Sequence, residues 1–519
     1  MLVAGCCLAL LVTGCGSGGA SGSAATSTGA GSGAAASSGP TSSGNTSGGT
    51  AIAVPGLAKL EAPDLAGSDL LNGQVDFIAC WSAGNCTAAG TYGSTDGATG
   101  ATAVFVVSEK NGTWSSATTV PGATTADALS CPSAGNCLLG GVKTTQGSAT
   151  STAYVVAETG GTWGAPQVVP TRTGPGYTVV PADVYAISCT APGDCTVGGQ
   201  ALNATPDDIA HGGGSYAPIV ANLTNGALGS VTELPLPSFQ SPGDSNADQG
   251  WLSSLSCASA GNCTATGIDE QQANDPQDPA PGSIFAASEV SGHWSAPALL
   301  PGSAARSASN TETGQVSCAS AGNCGYVGYY ADGSGNTHPF VASQVGGTWD
   351  SATDVKGDPG YAMKSDSEPA AISCPAPGDC TAVLDLEDTS QNVHAFAVSE
   401  ASGTWGTATE VKDPAGEVGL NVVSCASAGN CVAAGSDGNG PITVDSVNGA
   451  WQPPAATSGT SGLEKTEGAA AANAGGSGAS VGAATVTAIS CVAGGYCGIG
   501  GEFPVPNNGG TEAFLVEGG

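Results

Sequence analysis

The chain of 519 residues is rich in glycine and poor in charge, with 83 Gly, 19 Cys and only 10% charged residues. Its nine Lys and Arg stand against 42 Asp and Glu, for a formal net charge of −33. This composition argues against a coiled coil or a helical bundle, which need about half Ala, Glu, Lys, Leu and Arg. It also argues against nucleic acid as a partner, because a groove that follows a phosphate backbone depends on clustered Lys and Arg.

The N-terminal segment predicts export. Residues 2–12 are almost wholly apolar but too few to span a membrane, which takes about 20 residues in a helix, so they indicate a signal-peptide core. The end of this run, Val12-Thr13-Gly14-Cys15, resembles the lipobox of bacterial lipoproteins. The resemblance implies a lipoprotein signal peptide over residues 1–14, and a lipid on Cys15 that holds the protein at the extracellular face of the cell membrane. The alternative is an ordinary signal peptide in which Cys15 is incidental.

The segment that follows Cys15 has the composition of a linker. Residues 16–50 contain only Gly, Ser, Ala, Thr, one Pro and one Asn. Without charged or large apolar side chains such a stretch cannot form a core. We therefore expect a flexible tether over residues 15–50 and a folded body over residues 51–519.

A Cys-x5-Cys pair organises the rest of the chain, because it recurs eight times at an average interval of about 59 residues. Regular self-similarity at this interval indicates a repeat architecture. The pairs are Cys80/Cys86, Cys131/Cys137, Cys189/Cys195, Cys257/Cys263, Cys318/Cys324, Cys374/Cys380, Cys425/Cys431 and Cys491/Cys497.

Each repeat predicts four β-strands. An apolar stretch precedes the first Cys, a strand of small residues follows the second, and a third strand such as 104–109 leads through a Gly-containing turn to a Trp-headed fourth strand such as 113–120. Short β-compatible runs separated by Gly, Asn and Asp are hairpin signals. Four antiparallel strands in a repeat of this length are typical of a propeller blade. We therefore predict an all-β, eight-bladed β-propeller.

The two ends of the folded body complete each other. The last repeat supplies only three strands, the third of them at residues 512–517. Residues 49–56 parallel the Trp-headed strand of the first repeat, residues 112–122, in a shortened form without the Trp. We expect this N-terminal strand to close the ring as the fourth strand of the eighth blade, which leaves no open sheet edge.

The paired cysteines predict disulfides, because exported proteins keep them and each pair flanks a tight hairpin. Closing so short a loop should stabilise the fold by roughly 2 to 2.5 kcal/mol. The alternative is zinc, but structural zinc sites favour Cys pairs two to four residues apart and join two pairs. Cys6 and Cys7 fall within the signal peptide.

Loop lengths predict where a ligand would bind. The turns within the Cys pairs and before the Trp are nearly constant, whereas the connections from second to third strand and from blade to blade vary. Both variable connections fall on one face of the ring, here named the variable-loop face, and variable loops on a rigid scaffold commonly carry recognition. The candidate binding residues on it are Asp207, Asp208, His211, Asp269, Glu270, Asp332, Asp366 and Glu368.

Acidic loops could also hold calcium. Residues 332–336 resemble the start of a calcium loop but lack the Gly and the Glu that such a loop requires. We therefore interpret the acidic loop residues as solvated surface charge, and we expect no cofactor or metal.

Two known propeller families match only in part. Sialidases have a related Gly-turn-Trp pattern but grip their substrate with three arginines, whereas this chain has only Arg172 and Arg306. Quinone-dependent dehydrogenases share only the blade number. Residues 77–519 resemble the cysteine-bearing propeller repeats of exported proteins from high-GC bacteria, and that resemblance implies no defined activity.

We therefore expect a lipid-anchored, monomeric binding or scaffolding module whose ligand is a glycan, a wall polymer or a surface protein. The alternative is a glycoside hydrolase that uses loop carboxylates on the variable-loop face, since such acid pairs leave no local motif.

Overall fold

The computed structural model describes residues 50–60, 71–94, 102–144, 151–173, 177–205, 214–236, 249–270, 282–303, 312–331, 337–357, 370–388, 390, 392–413, 417–437, 439–457, 459–460, 463, 484–505 and 510–517. The predicted signal peptide, Cys15 and almost all of the tether lie outside these residues. No helix in the described part of the chain is long and apolar enough to cross a membrane.

The described strands form eight antiparallel units, numbered here as blades 1 to 8 in chain order from residue 71. Blade 1 comprises Leu71–Ser82, Asn85–Ser94, Thr102–Lys110, Thr113–Trp114 and Thr118–Val120. Blade 2 comprises Ala128–Ser133, Asn136–Thr144, Ser151–Thr159, Thr162–Trp163 and Gln167–Val168. Blade 3 comprises Arg172–Thr173, Thr178–Ala191, Asp194–Ala204, Ser215–Thr224, Ala227–Leu228 and Thr232–Glu233. Blade 4 comprises Gln249–Ser259, Asn262–Glu270, Gly282–Val290, His293–Trp294 and Ala298–Leu299.

The second half of the chain repeats this plan. Blade 5 comprises Glu312–Ser320, Asn323–Ala331, Thr337–Val345, Thr348–Trp349 and Thr353–Asp354. Blade 6 comprises Ala371–Ala376, Asp379–Glu387, Val393–Ala401, Thr404–Trp405 and Thr409–Val411. Blade 7 comprises Val418–Ser427, Asn430–Asp437, Gly440–Val447, Ala450–Trp451 and Ala455–Ala456. Blade 8 comprises Thr485–Cys491, Cys497–Val505, Gly510–Glu517 and the N-terminal strand Thr50–Ala53, which a 3-10 helix at Leu57–Lys59 follows.

The fourth strand differs in detail from the prediction. In blades 1 to 7 it is broken into two short segments, and both pair with the third strand. In blade 1, Trp114 pairs with Glu109 and Val120 pairs with Val104. The Trp therefore begins the outer edge of the blade as predicted, but the edge is interrupted before it reaches the variable-loop face.

The blades close into a ring. The strand that carries the first Cys of each blade, here called the inner strand, contacts the inner strands of both neighbouring blades, and that of blade 8 contacts that of blade 1. These strands therefore surround a central channel. A parallel pairing of His394 with Val418 also joins blades 6 and 7.

The N-terminal strand closes the ring as predicted. Ile52 pairs with Leu515, so Thr50–Ala53 forms the outer edge of blade 8. Beyond it, Pro55 O accepts a 2.7 Å hydrogen bond from Ala117 N of blade 1. The same bond, also 2.7 Å, joins Pro301 O of blade 4 to Ala352 N of blade 5. The N-terminal segment thus reproduces an ordinary junction between blades.

The hydrophobic core is divided among the interfaces between consecutive blades, here called seams and named by their two blades. Eight buried clusters occupy the eight seams. In seam 1/2, Phe77 and Val106 of blade 1 pack against Tyr154 and Val156 of blade 2. No blade has a core of its own, so burial of apolar surface depends on the whole ring.

A chain of side-chain hydrogen bonds crosses seven of the eight seams near the channel. The Ser before the first Cys of one blade accepts a 2.9–3.1 Å bond from the amide of the first Cys of the next blade. The donor and acceptor residues are Cys80 and Ser490, Cys189 and Ser130, Cys257 and Ser188, Cys318 and Ser256, Cys374 and Ser317, Cys425 and Ser373, and Cys491 and Ser424. In seam 1/2 the Ser position is Ala79.

The Cys turn and the Trp turn of a blade vary little in length because they form hydrogen bonds with each other. Asn85, in the Cys turn of blade 1, accepts a hydrogen bond from Asn111 N in the Trp turn, and Gly112 N donates to Gly84 O at 2.8 Å. Asn111 and Gly112 have φ of 52° and 79°, the left-handed values of a tight hairpin turn. These contacts hold the face opposite the variable-loop face, here named the constant-turn face.

All eight predicted Cys pairs are disulfides in the structure. Each bridges the inner strand to the second strand beside the constant turn, and Cys80 lies directly opposite Cys86 in the register. Within the described residues no group of His, Cys, Asp or Glu has the arrangement of a metal site. The bonds, in chain order, join Cys80 to Cys86, Cys131 to Cys137, Cys189 to Cys195, Cys257 to Cys263, Cys318 to Cys324, Cys374 to Cys380, Cys425 to Cys431 and Cys491 to Cys497.

Candidate functional site

A β-bulge gives the channel wall its polar side chains. In blades 1, 4, 7 and 8 the inner strand carries one extra residue four positions before the first Cys, namely Asp76, Ser253, Asn421 and Thr487. Tyr185 is such a residue in blade 3. A bulge redirects the side chain that it carries, and all five of these residues are polar.

A glycine on the second strand makes room for the bulge. A Cβ on Gly90 would lie 2.0 Å from the carbonyl oxygen of Gln74, and a Cβ on Gly267 would lie 2.1 Å from that of Trp251. No side chain fits at such a distance. Seven blades have Gly at this position, whereas blade 6 has Leu384, and there the inner strand begins only at Ala371.

Two of the bulged residues bind the next blade. Asn421 Nδ2 donates to Val486 O at 3.3 Å, and Thr487 Oγ1 donates to Val75 O. These bonds run along the channel wall from blade 7 to blade 8 and from blade 8 to blade 1. Asp76 accepts a hydrogen bond from Gln74 of its own strand, its Oδ2 has no hydrogen-bond partner, and the chain of wall bonds stops at blade 1.

From blade 1 onward, three consecutive blades each contribute a carboxyl group to the channel wall. Asp76, Asp127 and Asp183 belong to blades 1, 2 and 3. Burial, with a smaller contribution from the charges of Asp127 and Glu502, raises the pKa of Asp76 to about 7 against a hydrogen bond from Gln74 that lowers it. Oδ2 of Asp76 is shielded from solvent without a hydrogen-bond partner. The channel wall here is acidic, and not all of its polar atoms have a hydrogen-bond partner.

Asp127 and Asp183 titrate together across seam 2/3. Burial raises the pKa of both, and the charge of Asp127 raises that of Asp183. Thr125 Oγ1 donates to Asp127 Oδ2 at 2.5 Å, and Val184 N donates to Asp183 Oδ1 at 2.9 Å. In the described part of the chain no basic side chain pairs with these carboxyl groups. They can exchange protons and hydrogen bonds with a ligand near neutral pH.

Asp76, Asp127 and Asp183 thus lie on three consecutive blades, and Glu502 lies on the second strand of the blade before them, blade 8. The bulged residues of blades 4 and 7, Ser253 and Asn421, are uncharged.

A second polar cluster lies on the variable-loop face of blade 6. His394 Nδ1 is 2.9 Å from Glu410 Oε1, and its Nε2 is 3.3 Å from Asp388 Oδ2. These carboxylates raise the pKa of His394 against the effect of desolvation. Asp388 also accepts bonds from the loop that it heads, including Asn392 N at 3.0 Å, which lower its pKa. These hydrogen bonds hold the loop that begins at Asp388 in place.

The structure places two of the predicted binding residues. Asp269 and Glu270 end the second strand of blade 4, so neither lies in a loop as predicted. Asp269 is only 2% exposed, and burial raises the pKa of Glu270. The remaining candidates, and the proposed start of a calcium loop, fall outside the described residues: Asp207, Asp208, His211, Asp332, Asp366 and Glu368.

The predicted disulfide cysteines belong to the seams and not to a ligand site. In blades 4 to 7 the second cysteine is 3–4% exposed, and it packs in the cluster between its own blade and the preceding one. These disulfides therefore fill the core beside the constant turns. The four cysteines are Cys263 in seam 3/4, Cys324 in seam 4/5, Cys380 in seam 5/6 and Cys431 in seam 6/7.

Sequence reasoning missed Asp76, Asp127 and Asp183. A signal for the first two was present, because each is an Asp four residues before the first Cys of its repeat. The position of Asp76 on the channel wall depends on the bulge, which the strand pattern alone does not reveal.

Comparisons with known proteins give structural similarity without sequence similarity. No protein-family model and no curated protein sequence matches the chain. The β-propeller domain of the Trilobed protease from Pyrococcus furiosus is similar at 7% identity and a TM-score of 0.40, covering 73% of this chain and 97% of that one. A Hadza microbial sialidase is similar at 10% identity and a TM-score of 0.34, covering 71% and 73%.

A polysaccharide lyase, an ulvan lyase, is similar at 9% identity and a TM-score of 0.40, covering 72% of this chain and 91% of that one. At these identities and TM-scores the similarities carry no argument about activity. The eight-bladed assignment rests on the sheets and seams of this chain.

Proposed function

We propose that this protein is an exported, lipid-anchored propeller that acts as a binding module at the extracellular face of the cell membrane, with a glycan ligand at its acidic channel. The observation that carries the proposal is the set of carboxyl groups of Asp76, Asp127 and Asp183 on three adjacent blades, which have raised pKa values and no basic partner among the described residues. Carboxyl groups that are partly protonated at neutral pH both donate and accept hydrogen bonds, as the hydroxyl groups of a sugar require. The net charge of −33 disfavours polyanions.

Export is supported by the cysteines. Eight disulfides are typical of a protein that folds in an oxidising, extracellular environment. The lipid anchor rests on the lipobox-like sequence at Cys15. Two or more acyl chains would anchor the chain stably, whereas one chain alone binds a membrane only marginally.

The anchor is tested by labelling. Cells that express the full chain should incorporate labelled palmitate into it, and globomycin should block processing. Cys15→Ser should abolish the label, whereas the matched control Cys7→Ser should retain it. Unlabelled wild-type protein would refute the anchor and leave the proposed ligand site untouched.

Ligand binding is tested on a glycan array with the full-length protein, followed by calorimetric titration of the best binder. Asp76→Asn and Asp127→Asn should each weaken binding by about tenfold, equivalent to about 1.4 kcal/mol. Asp350→Asn, on an exposed residue of blade 5, should leave it unchanged. Equal affinity in all three variants would exclude the channel as the binding site.

A glycoside hydrolase is the second candidate, because acids with raised pKa values beside another carboxyl group are typical of general acid catalysis. A panel of chromogenic glycosides distinguishes the two. An enzyme would lose turnover completely in Asp76→Asn, Asp127→Asn or Asp183→Asn, whereas a binding module has no turnover to lose.

A further inference from the structure

Five blades place a buried carboxyl or carboxamide side chain opposite the repeat Trp. These residues are 2–4% exposed and pair with the Trp in the register of the third strand and the outer edge. They are Glu109, Glu158, Glu289, Gln344 and Glu400. Burying such groups is costly unless each finds a hydrogen-bond partner.

Four of the five find that partner across the seam to the preceding blade. The bonds join Glu109 to Tyr496 at 2.8 Å, Glu289 to Asn222 at 2.8 Å, Gln344 to Ser288 at 3.0 Å, and Glu400 to Ser343 at 2.5 Å. This arrangement is a repeated feature of the fold, and it explains why charged groups are tolerated inside the seams.

Glu158 is the exception among these five described residues. It is 4% exposed, has no hydrogen bond across seam 1/2, and its Oε2 is shielded from solvent without a partner. The Ser that could serve it in blade 1, Ser108, instead lies 3.3 Å from Thr87 Oγ1 within its own blade. Burial raises the pKa of Glu158 to about 7.

Seam 1/2 also opens into a crevice that is larger than those in seams 2/3 and 5/6. Its volume is about 890 Å³, against about 250 Å³ in seam 2/3 and about 230 Å³ in seam 5/6. Glu158 lines it together with three tryptophans, Trp81, Trp114 and Trp163. The crevice opens beside the constant turns, on the face opposite the variable loops.

Trp81 departs from the repeat pattern. It follows the first Cys of blade 1, in a turn where every other blade has a smaller side chain. The corresponding residues are Pro132, Thr190, Ala258, Ala319, Pro375, Ala426 and Val492. Trp81 is partly exposed and packs at the edge of the seam 1/2 cluster. No packing need shared by the other seams explains an indole here.

We propose that this crevice is a second carbohydrate site, in which a pyranose ring packs against Trp81 and Trp163 and one of its hydroxyl groups donates a hydrogen bond to Glu158. The C–H groups of a sugar carry partial positive charge and suit the negative face of an indole. The hydroxyl would satisfy a buried acceptor that otherwise has no hydrogen-bond partner. The crevice combines these rings with polar side chains such as Asn85 and Thr113, a mixture that suits both the C–H and the hydroxyl groups of a sugar.

A neutral sugar suits the crevice better than an organic cation does. An ammonium group could pair with Glu158 and the indoles, but the exposed Lys110 lines the same crevice and would repel it. The proposal extends beyond the channel site, since none of its residues belongs to the channel wall.

The test titrates the full-length protein with soluble oligosaccharides of glucose, mannose and N-acetylglucosamine, followed by tryptophan fluorescence and calorimetry. Trp81→Ala places the residue of blades 4, 5 and 7 in this turn, and Glu158→Leu copies Leu223 at the same position of blade 3. Each should weaken binding by about tenfold or more. Val492→Ala, at the turn position of blade 8, should leave binding unchanged.

Stability provides an independent readout. Without sugar, Glu158→Leu should melt higher than wild type because it removes an unsatisfied buried acceptor, while its sugar affinity falls. The matched variant Glu289→Leu should melt lower, since it leaves Asn222 without its partner. Absence of binding to every oligosaccharide at millimolar concentration would overturn the proposal, and so would undiminished binding by Trp81→Ala and Glu158→Leu. Preferential binding of choline or arginine amide would overturn the assignment to sugars.

Discussion

Seam 1/2 and the other seven seams are built from the same repeat but are completed differently. Each of the seven carries a bond from a Cys amide to a Ser hydroxyl of the preceding blade, as Cys491 and Ser424 show. Seam 1/2 has Ala79 at the Ser position, like charges of Asp76 and Asp127 on its channel side, and the unpartnered Glu158 on its outer side. The comparison teaches that the repeated contacts stabilise the seams. Seam 1/2, which departs from them, is where we propose that a ligand binds.

Removing the ring closure should have the largest effect. Deletion of residues 50–56 would remove the outer strand of blade 8 together with Ala51 and Val54, which are both 4% exposed, and would uncover the two seam clusters that these side chains help to fill. Because every seam depends on the closed ring, we expect Tm to fall by roughly 10 °C or more. Deleting seven residues of the tether, 30–36, is the control and should leave Tm unchanged. Equal melting of the two deletions would show that the strand does not close the ring.

Breaking one of the seven regular seams should cost less. Ser424→Ala removes the acceptor of the Cys491 amide and leaves that amide buried without a partner, for an expected loss of about 1–3 kcal/mol. Chemical denaturation measures the loss. Ser427→Ala, on an exposed residue of the neighbouring turn, should change stability by less than about 0.5 kcal/mol. A loss as small in Ser424→Ala would mean that these bonds do not stabilise the seams.

Raising the pH should weaken the acidic wall of seam 1/2. The pKa of Asp76 rises from 3.8 to about 7 on folding, so the folded chain holds a proton that the unfolded chain has already lost. The stability from this group is complete below pH 3.8 and is lost as the pH rises through about 7. We expect a loss of about 1–2 kcal/mol, below the full value of about 1.4 kcal/mol per pKa unit, because Asp76 is partly exposed.

Thermal melts between about pH 5 and pH 8.5 measure this slope. Asp76→Asn should flatten it, whereas Asp350→Asn on an exposed site should not. If the slope is the same in Asp76→Asn as in wild type, the carboxyl groups of the channel are not the source of the pH dependence.

Restoring the missing bond should give the smallest effect, and one of opposite sign. Ala79→Ser places a hydroxyl where the other seams have one, next to the amide of Cys131, and should raise stability by up to about 1 kcal/mol. Ala89→Ser, at a fully buried position of the same blade, would bury a hydroxyl without a matching amide and should destabilise. Destabilisation by Ala79→Ser would show that seam 1/2 is closed by other contacts.

The fold could be predicted from the sequence because its determinants are local and repeated. The fixed Cys spacing, the Gly turn before the Trp and the three-stranded last repeat gave the blade, the disulfides and the closing strand. The two segments of each outer edge and the bulge opposite Gly90 were missed, because both depend on pairing with a neighbouring strand. A Ser before the first Cys in seven of eight repeats was a readable signal for the seam bonds.

The candidate sites were less predictable for a physical reason. The loops marked candidate residues by length alone, and Asp269 proved to be buried in a strand. Whether Glu158 has a partner depends on Ser108 in another blade, and no pattern within one repeat reports such a contact. The sequence alone shows Ala79 and Trp81 as departures from the repeat. Their significance became clear only from the contacts across the seams.

Amide hydrogen exchange at the first Cys of each blade tests the central claim most directly. The amides of the seven blades whose preceding Ser accepts a bond should be strongly protected, since exchange there requires the ring to open. The amide of Cys131, which faces Ala79, should exchange faster than the other seven, and Ala79→Ser should slow it. Protection of Cys131 equal to that of Cys491 in the wild-type protein would contradict the account of seam 1/2 as the seam that is weakened by the missing hydrogen bond.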